Sequence, residues 1–159
     1  MTAAMPDVRT LTLLLEREEA ARDAVLLALQ QAENHLAQAR TQHEALTTYR
    51  SEYIARWSAQ LQQSASIEVL HCYRSFMVRL DQALEQQTAL VRRAEATVAS
   101  RRTERIATET RVAAIARLIG RRVETHRQAE HRRDQRLTDE AAARAAWSSG
   151  STGSAGPAH

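Results

Sequence analysis

The amino-acid sequence predicts an all-α fold, a long two-helix antiparallel coiled-coil hairpin, on three observations. Between Asp7 and Ser149 there is no proline and only one glycine, Gly120, so no residue there forces a helix to stop. The span is built from the good helix formers Ala, Leu, Arg, Glu and Gln. Its apolar residues recur at alternating steps of four and three, the spacing of a coiled-coil seam.

The first helix is expected over about 7–62, after a flexible N-terminus at 1–6. Its seam reads Val25, Leu29, Ala32, Leu36, Ala39, His43, Leu46, Arg50, Tyr53, Trp57, with only His43 and Arg50 not apolar. A turn is expected at about 63–66, where Gln62, Gln63, Ser64, Ala65 and Ser66 are short and polar. Serines there can accept hydrogen bonds from the free amides of a following helix, and Glu68 suits its positive end. The second helix is expected over about 67–147. Its seam reads Tyr73, Met77, Leu80, Leu84, Gln87, Val91, Ala94, Val98 and resumes at Val112, Ile115, Ile119. Arg101, Arg105 and Thr108 interrupt it, and the interruption reads as a weak or hydrated stretch.

A short connection between two long helices makes them antiparallel neighbours, because each apolar seam needs a cover and the other seam is nearest. At 1.5 Å per residue the helices would be roughly 80 Å and roughly 120 Å long, so they cannot match. A turn at 63–66 sets Leu11 near Leu118 and Glu16, Glu18 and Glu19 near Arg111. Everything after about Gly120 then overhangs, and Gly120, a poor helix residue, reads as a bending point. The final stretch, 148–159, is Ser, Gly, Ala, Pro, Thr and a terminal His, the composition of a disordered tail.

Composition supports an elongated molecule over a globular one. Aromatic residues make up only 4% of the 159, too few for a core of large side chains. All 22 basic residues are Arg, a bias with no evident physical reason. The net charge of +3 is unevenly placed: 8 Arg against 11 acids from Asp7 to Val91, then 14 Arg against 8 acids from Arg92 to Arg144. The two halves are complementary in sign. Cys72 is the only cysteine, which rules out an intrachain disulfide and fits a reducing cytosol. The start of the chain has no basic leader, and Leu11 to Leu15 is too short an apolar run for a signal core or membrane span. Neither export by the general pathway nor direct membrane insertion is expected.

No catalytic site is expected, and no cofactor: there is no glycine-rich phosphate loop and no strand on which to mount a nucleophile. The protein therefore reads as a non-enzyme. His126, Glu130 and His131 resemble metal ligands superficially, but the two His are five apart and point to different helix faces, so no metal site is assigned. The Arg doublets at 92–93, 101–102, 121–122 and 132–133 have acids interspersed and no aromatic among them to stack bases. A solvated helix face accounts for them better than nucleic acid.

The sharpest signal is the clustering of Tyr49, Tyr53, Trp57, Tyr73 and Phe76, five of six aromatic residues, around the turn. Tyr53, Trp57 and Tyr73 are on the seams and read as a plug of core. Tyr49 and Phe76 are one position off them, where they serve either as core or as exposed anchors for a partner.

At these residues the chain resembles the FliJ family of the bacterial flagellar type III export apparatus. Leu46, Tyr49, Glu52 and Tyr53 resemble the family's pattern near the end of the first helix, and Phe76, Leu80 and Ala83 the pattern that opens the second. The run Ala129, Glu130, Arg132, Asp134, Gln135, Asp139, Glu140, Arg144, Ala145, Ala146 resembles its polar C-terminal signature. The resemblance covers about residues 7–147 and implies a non-catalytic central stalk, cytoplasmic and peripherally associated with the inner membrane. That stalk would link the hexameric export ATPase, FliI, to the membrane export gate, FlhA, promote ATPase assembly or activity, and help handle export chaperones.

Carried over by position, the gate-binding residues would be Gln42, Leu46, Tyr49, Tyr53, Phe76, Leu80 and Ala83. The ATPase-binding residues would be Leu11, Leu14, Glu18, Arg132, Gln135, Asp139 and Arg144. Gln87 departs from the His expected at its position, and the tail after Trp147 is additional to the family pattern. Three other readings stay open: the stalk of a virulence type III secretion system, a coiled-coil chaperone or adaptor, and a basic nucleic-acid-associated coil.

Overall fold

The structure, a computed structural model, describes residues 5–150. Two helices account for nearly all of them: α1, Met5–Leu61, and α2, Ile67–Gly150. No strand occurs among the described residues, and the chain is an all-α helical hairpin. Pro6 is tolerated because it lies in the first turn of α1, where its missing amide would have no intrahelical acceptor. α1 thus takes in Met5 and Pro6, and α2 takes in Ser148, Ser149 and Gly150, residues expected to belong to the flexible termini. Ser148 and Ser149 donate back to the Ala145 carbonyl at 2.9 and 2.8 Å, which lets serine sit in a last helical turn. Residues 1–4 and 151–159 of those termini lie outside the described residues.

The connection between the helices occupies residues 62–66. The Gln63 amide donates to the Gln60 carbonyl, closing α1 with a tight turn. Ser66 then caps α2: its Oγ accepts from the Val69 amide at 3.4 Å and its carbonyl accepts from the Leu70 amide at 3.1 Å. Glu68 lies in the first turn of α2, where a carboxylate complements the helix dipole. Ser64 has φ of 144°, a conformation that favours glycine, so the turn holds backbone strain of about 1–3 kcal/mol.

The chain divides into two compact units, Glu18–Thr110 and Met1–Arg17 with Arg111–His159. In the first, α1 and α2 pack antiparallel along the seams read from the sequence. Leu29 and Ala39 are buried on α1; Leu80, Ala94 and Val98 are buried on α2. Val25, Ala32, Leu36, Leu46, Leu84 and Val91 are half-buried between them. Tyr53 meets Phe76 and Gln42 meets Gln87, the alignment expected across a turn at 63–66. Ion pairs flank the seam from helix to helix, Arg50 to Asp81 at 2.7 Å, Arg40 to Glu95 at 2.8 Å and Arg102 to Glu33 at 3.1 Å. All are solvent-exposed and contribute little to stability.

The expected weak stretch at Arg101, Arg105 and Thr108 needs correction. Thr108 is buried, at 3% exposure, and belongs to the seam. Its hydroxyl donates to carbonyls of its own helix, with Glu104 O at 3.0 Å and Arg105 O at 2.9 Å, so the polar atom is satisfied within a buried side chain. Arg101 is half-buried and held by Glu104 at 2.8 Å. Only Arg105 is exposed, where hydrogen bonding to Glu109 raises its pKa.

In the second unit, Val8, Leu11 and Leu15 of α1 are half-buried, as are Val112, Ile115 and Ile119 of α2. Asp7 pairs with Arg122 at 3.1 Å. From Arg121 to Gly150 every residue except the half-buried His126 is exposed. α2 continues unbroken through Gly120, and a Cβ placed there would meet nothing within 4 Å.

Candidate partner-binding surfaces

Steps of four along α1 put Tyr49, Tyr53 and Trp57 on one side of that helix, and the antiparallel alignment brings Tyr73 and Phe76 of α2 against them. The five rings form one cluster with Tyr53 at its centre. Its ring centroid lies 4.4 Å from that of Phe76, 5.8 Å from Tyr73, 5.9 Å from Trp57 and 6.2 Å from Tyr49. Tyr73 stacks on Tyr53 with only 9° between planes, whereas Phe76 meets Tyr49 edge-on at 71°. Both are favourable aromatic geometries.

Exposure separates core from surface within the cluster. Tyr53, Trp57, Tyr73 and Phe76 are half-buried, and Tyr49 is 44% exposed. Tyr49 is therefore the ring open to a partner, and Phe76 is drawn further into the cluster than its off-seam position suggested. Among the other residues of the gate-binding set, Leu46 and Ala83 are half-buried and Leu80 is buried, at 6% exposure. Leu80 thus lies in the seam, beneath the surface. Gln42 is exposed, and its Oε1 accepts from Gln87 Nε2 at 3.3 Å.

Further from the turn, the furrow between the helices is open and amphipathic, lined by Arg50, Asp81, Leu84, Glu85, Thr88, Ala89 and Arg92. Hydrogen bonding to Asp81 at 2.7 Å raises the Arg50 pKa and ties that guanidinium to the furrow wall. His43 Nε2 lies 3.2 Å from Thr88 Oγ1; the Thr88 hydroxyl donates to Leu84 O at 2.8 Å and so accepts from the imidazole.

The residues of the ATPase-binding set are differently placed. Leu11 is half-buried and Leu14 is 41% exposed near the start of α1; Glu18, in the Glu18–Thr110 unit, is half-buried. Arg132, Gln135, Asp139 and Arg144 are all exposed on α2. Here the side chains engage their own helix: Arg127 pairs with Glu124 at 3.0 Å, Gln128 bonds Glu124 at 2.9 Å, and Arg144 Nε donates to Glu140 O at 3.2 Å. The Arg127 guanidinium and then the Gln128 amide hold Glu124 below the usual carboxylate range. His126 Nδ1 lies 3.4 Å from Glu130, and no cluster of three or more His, Cys, Asp or Glu able to hold a metal occurs among the described residues.

Two exposed apolar residues were not singled out from the sequence. Trp147, 84% exposed near the end of α2, and Ile67, 87% exposed at its start, are large apolar side chains without cover. Trp147 was legible as the one aromatic outside the cluster. No described helix is long and apolar enough to cross a membrane.

No curated protein and no solved structure matches the chain significantly. The family model described as "Flagellar FliJ protein" matches residues 8–151, which takes in both helices almost entirely. With that match spanning the seams, the aromatic cluster and the polar end of α2, the chain belongs to the FliJ family of flagellar proteins.

Proposed function

We propose that the chain is the non-catalytic central stalk of the flagellar type III export ATPase complex, linking the ATPase ring to the membrane export gate. Membership of the FliJ family over residues 8–151 carries this reading. A helical hairpin suits it physically, since two packed helices resist bending better than one and can hold unlike partners apart. On this reading the protein is cytoplasmic and reaches the inner membrane only through its partners.

Gln42, Leu46, Tyr49, Tyr53, Phe76, Leu80 and Ala83 would form the gate-binding surface, facing FlhA. The exposed Tyr49 ring supports this, because an aromatic backed by packed rings presents contact area at low entropic cost. Leu11, Leu14, Glu18, Arg132, Gln135, Asp139 and Arg144 would bind the hexameric ATPase, FliI. The exposed guanidinium groups of Arg132 and Arg144 can make charge-assisted hydrogen bonds to carboxylates of a surrounding ring and so promote its assembly or turnover. Handling of export chaperones is a further role within the same reading.

The test is steady-state ATP hydrolysis by the cognate export ATPase with the full chain and with a chain ending at Gly120. Stimulation by the full chain that disappears on truncation is the expected result. Absence of stimulation by a folded, helical chain would remove the ATPase role. The competing reading is then a coiled-coil adaptor, which the open amphipathic furrow beside Arg50 and Leu84 favours as a seat for a partner's helix. Binding to export substrates or chaperones without effect on hydrolysis would establish it.

A further inference from the structure

We propose that Gln87 is the register lock of the hairpin, holding α1 and α2 in one alignment through the main chain of Ala39. This goes beyond the stalk reading and does not depend on it. Gln87 occupies a seam position, is 8% exposed, and is one of two buried polar residues among those described. Its Nε2 carries two protons and places both across the interface: one on Ala39 O at 2.9 Å, the other on Gln42 Oε1 at 3.3 Å.

The bond to Ala39 depends on two conditions. A helical carbonyl that already accepts from the amide four residues on keeps a second lone pair. It can be reached from a neighbouring helix only where the covering side chain is small. Ala39, itself 6% exposed, supplies that access.

Apolar seam contacts alone are tolerant of slip, since a shift by one turn replaces one aliphatic contact with another. A buried amide is not tolerant. One turn in one direction would set Gln87 against Leu36, whose branched side chain covers its own carbonyl as that of Ala39 does not. One turn in the other would set it against His43, whose ring likewise covers its own carbonyl, and would break the 3.2 Å bond between that ring and Thr88. The ion pairs Arg50–Asp81 and Arg40–Glu95 agree with the observed alignment but are exposed, so they hold it weakly. Alignment is therefore set in the middle of the seam, and the strained turn at Ser64 follows it.

The lock is tested by distance measurement between spin labels on the full chain, with Cys72→Ser to remove the native thiol and Ala37→Cys with Ser75→Cys to carry the labels. Both label sites are exposed and offset along the helices, so a one-turn slip changes their separation by about 5 Å. The otherwise native chain is expected to give one distance population. Gln87→Met, which keeps length and volume but has no amide, is expected to add a second population displaced by about one turn while helicity is retained. Ala39→Leu, which blocks access to the carbonyl, is expected to do the same. A single unchanged population in both variants would reduce Gln87 to a packing residue and overturn the proposal; if Gln87→Met does not fold, Ala39→Leu alone decides.

Discussion

The stretch Glu18–Thr110 and the end of α2 from Val123 to Gly150 have the same kind of sequence but different reasons for being helical. Both are rich in Ala, Arg and Glu, and neither contains proline. In the first, Leu29, Leu80, Ala94 and Val98 bury against the facing helix and five aromatic rings pack around Tyr53. In the second, only His126 is even half-buried, and the side chains of Arg127 and Gln128 bond Glu124 of their own helix. Tertiary packing supports the one; intrinsic propensity and neighbouring-turn pairs support the other. The second stretch correspondingly leaves every side chain but that of His126 exposed.

The widest gap between the regions should appear with matched aromatic substitutions. Tyr53→Ala removes the ring that touches all four others and should lower unfolding stability by about 2–3 kcal/mol in a urea titration. Trp147→Ala removes a larger side chain that is 84% exposed and should change stability by less than about 0.5 kcal/mol. Equal losses would mean that the end of α2 is packed as the hairpin is.

A smaller effect is expected at Gly120, which lies in unbroken helix with open space where a Cβ would stand. Gly120→Ala should raise thermal stability by about 0.5–1 kcal/mol through helix propensity alone. A loss of ATPase stimulation in the same variant would mean that a bend at this glycine is used when partners bind.

The smallest effect concerns pH. Hydrogen bonds from Arg127 and Gln128 depress the Glu124 pKa in the helix. That group's contribution to helix stability is therefore present above its unfolded pKa and is lost as pH falls through the depressed one. Acidification should shift the amide resonances of residues 124–128 toward coil, and Arg127→Ala should abolish most of that response. An unchanged response in the variant would assign the stability of this turn to backbone propensity alone.

The seams, the antiparallel pairing and the cap at Ser66 were legible because they depend on spacing and on local chemistry. Leu29, Leu80 and Val98 recur with the heptad, and a serine just before Glu68 is a helix start whatever surrounds it. Thr108 was misread because its polarity suggested hydration, whereas its hydroxyl is satisfied three and four residues back along its own helix. Gln87 was read as a seam position and a departure from a family pattern; its bond to Ala39 depends on the direction of its amide and on access to that carbonyl, which spacing does not supply. Among the residues expected to bind the gate, the grouping of Tyr49, Tyr53 and Phe76 and the burial of Leu80 on the seam followed from their positions, whereas the greater exposure of Tyr49 than of Phe76 did not. Helix ends were the least legible, because serines at 148 and 149 serve a last turn as readily as a tail.

The Glu18–Thr110 seam is only one side chain deep, and no described residue anywhere falls below 2% exposure. There is consequently no interior layer whose disruption must precede all others. Opening one turn exposes that turn and its partners and leaves the next largely intact, as in quasi-one-dimensional repeat proteins. Amide protons along the seam should then be shielded in a gradient, strongest from Ala94 to Thr108 and weakest toward the turn at Ser64, as in a zipper whose teeth part singly.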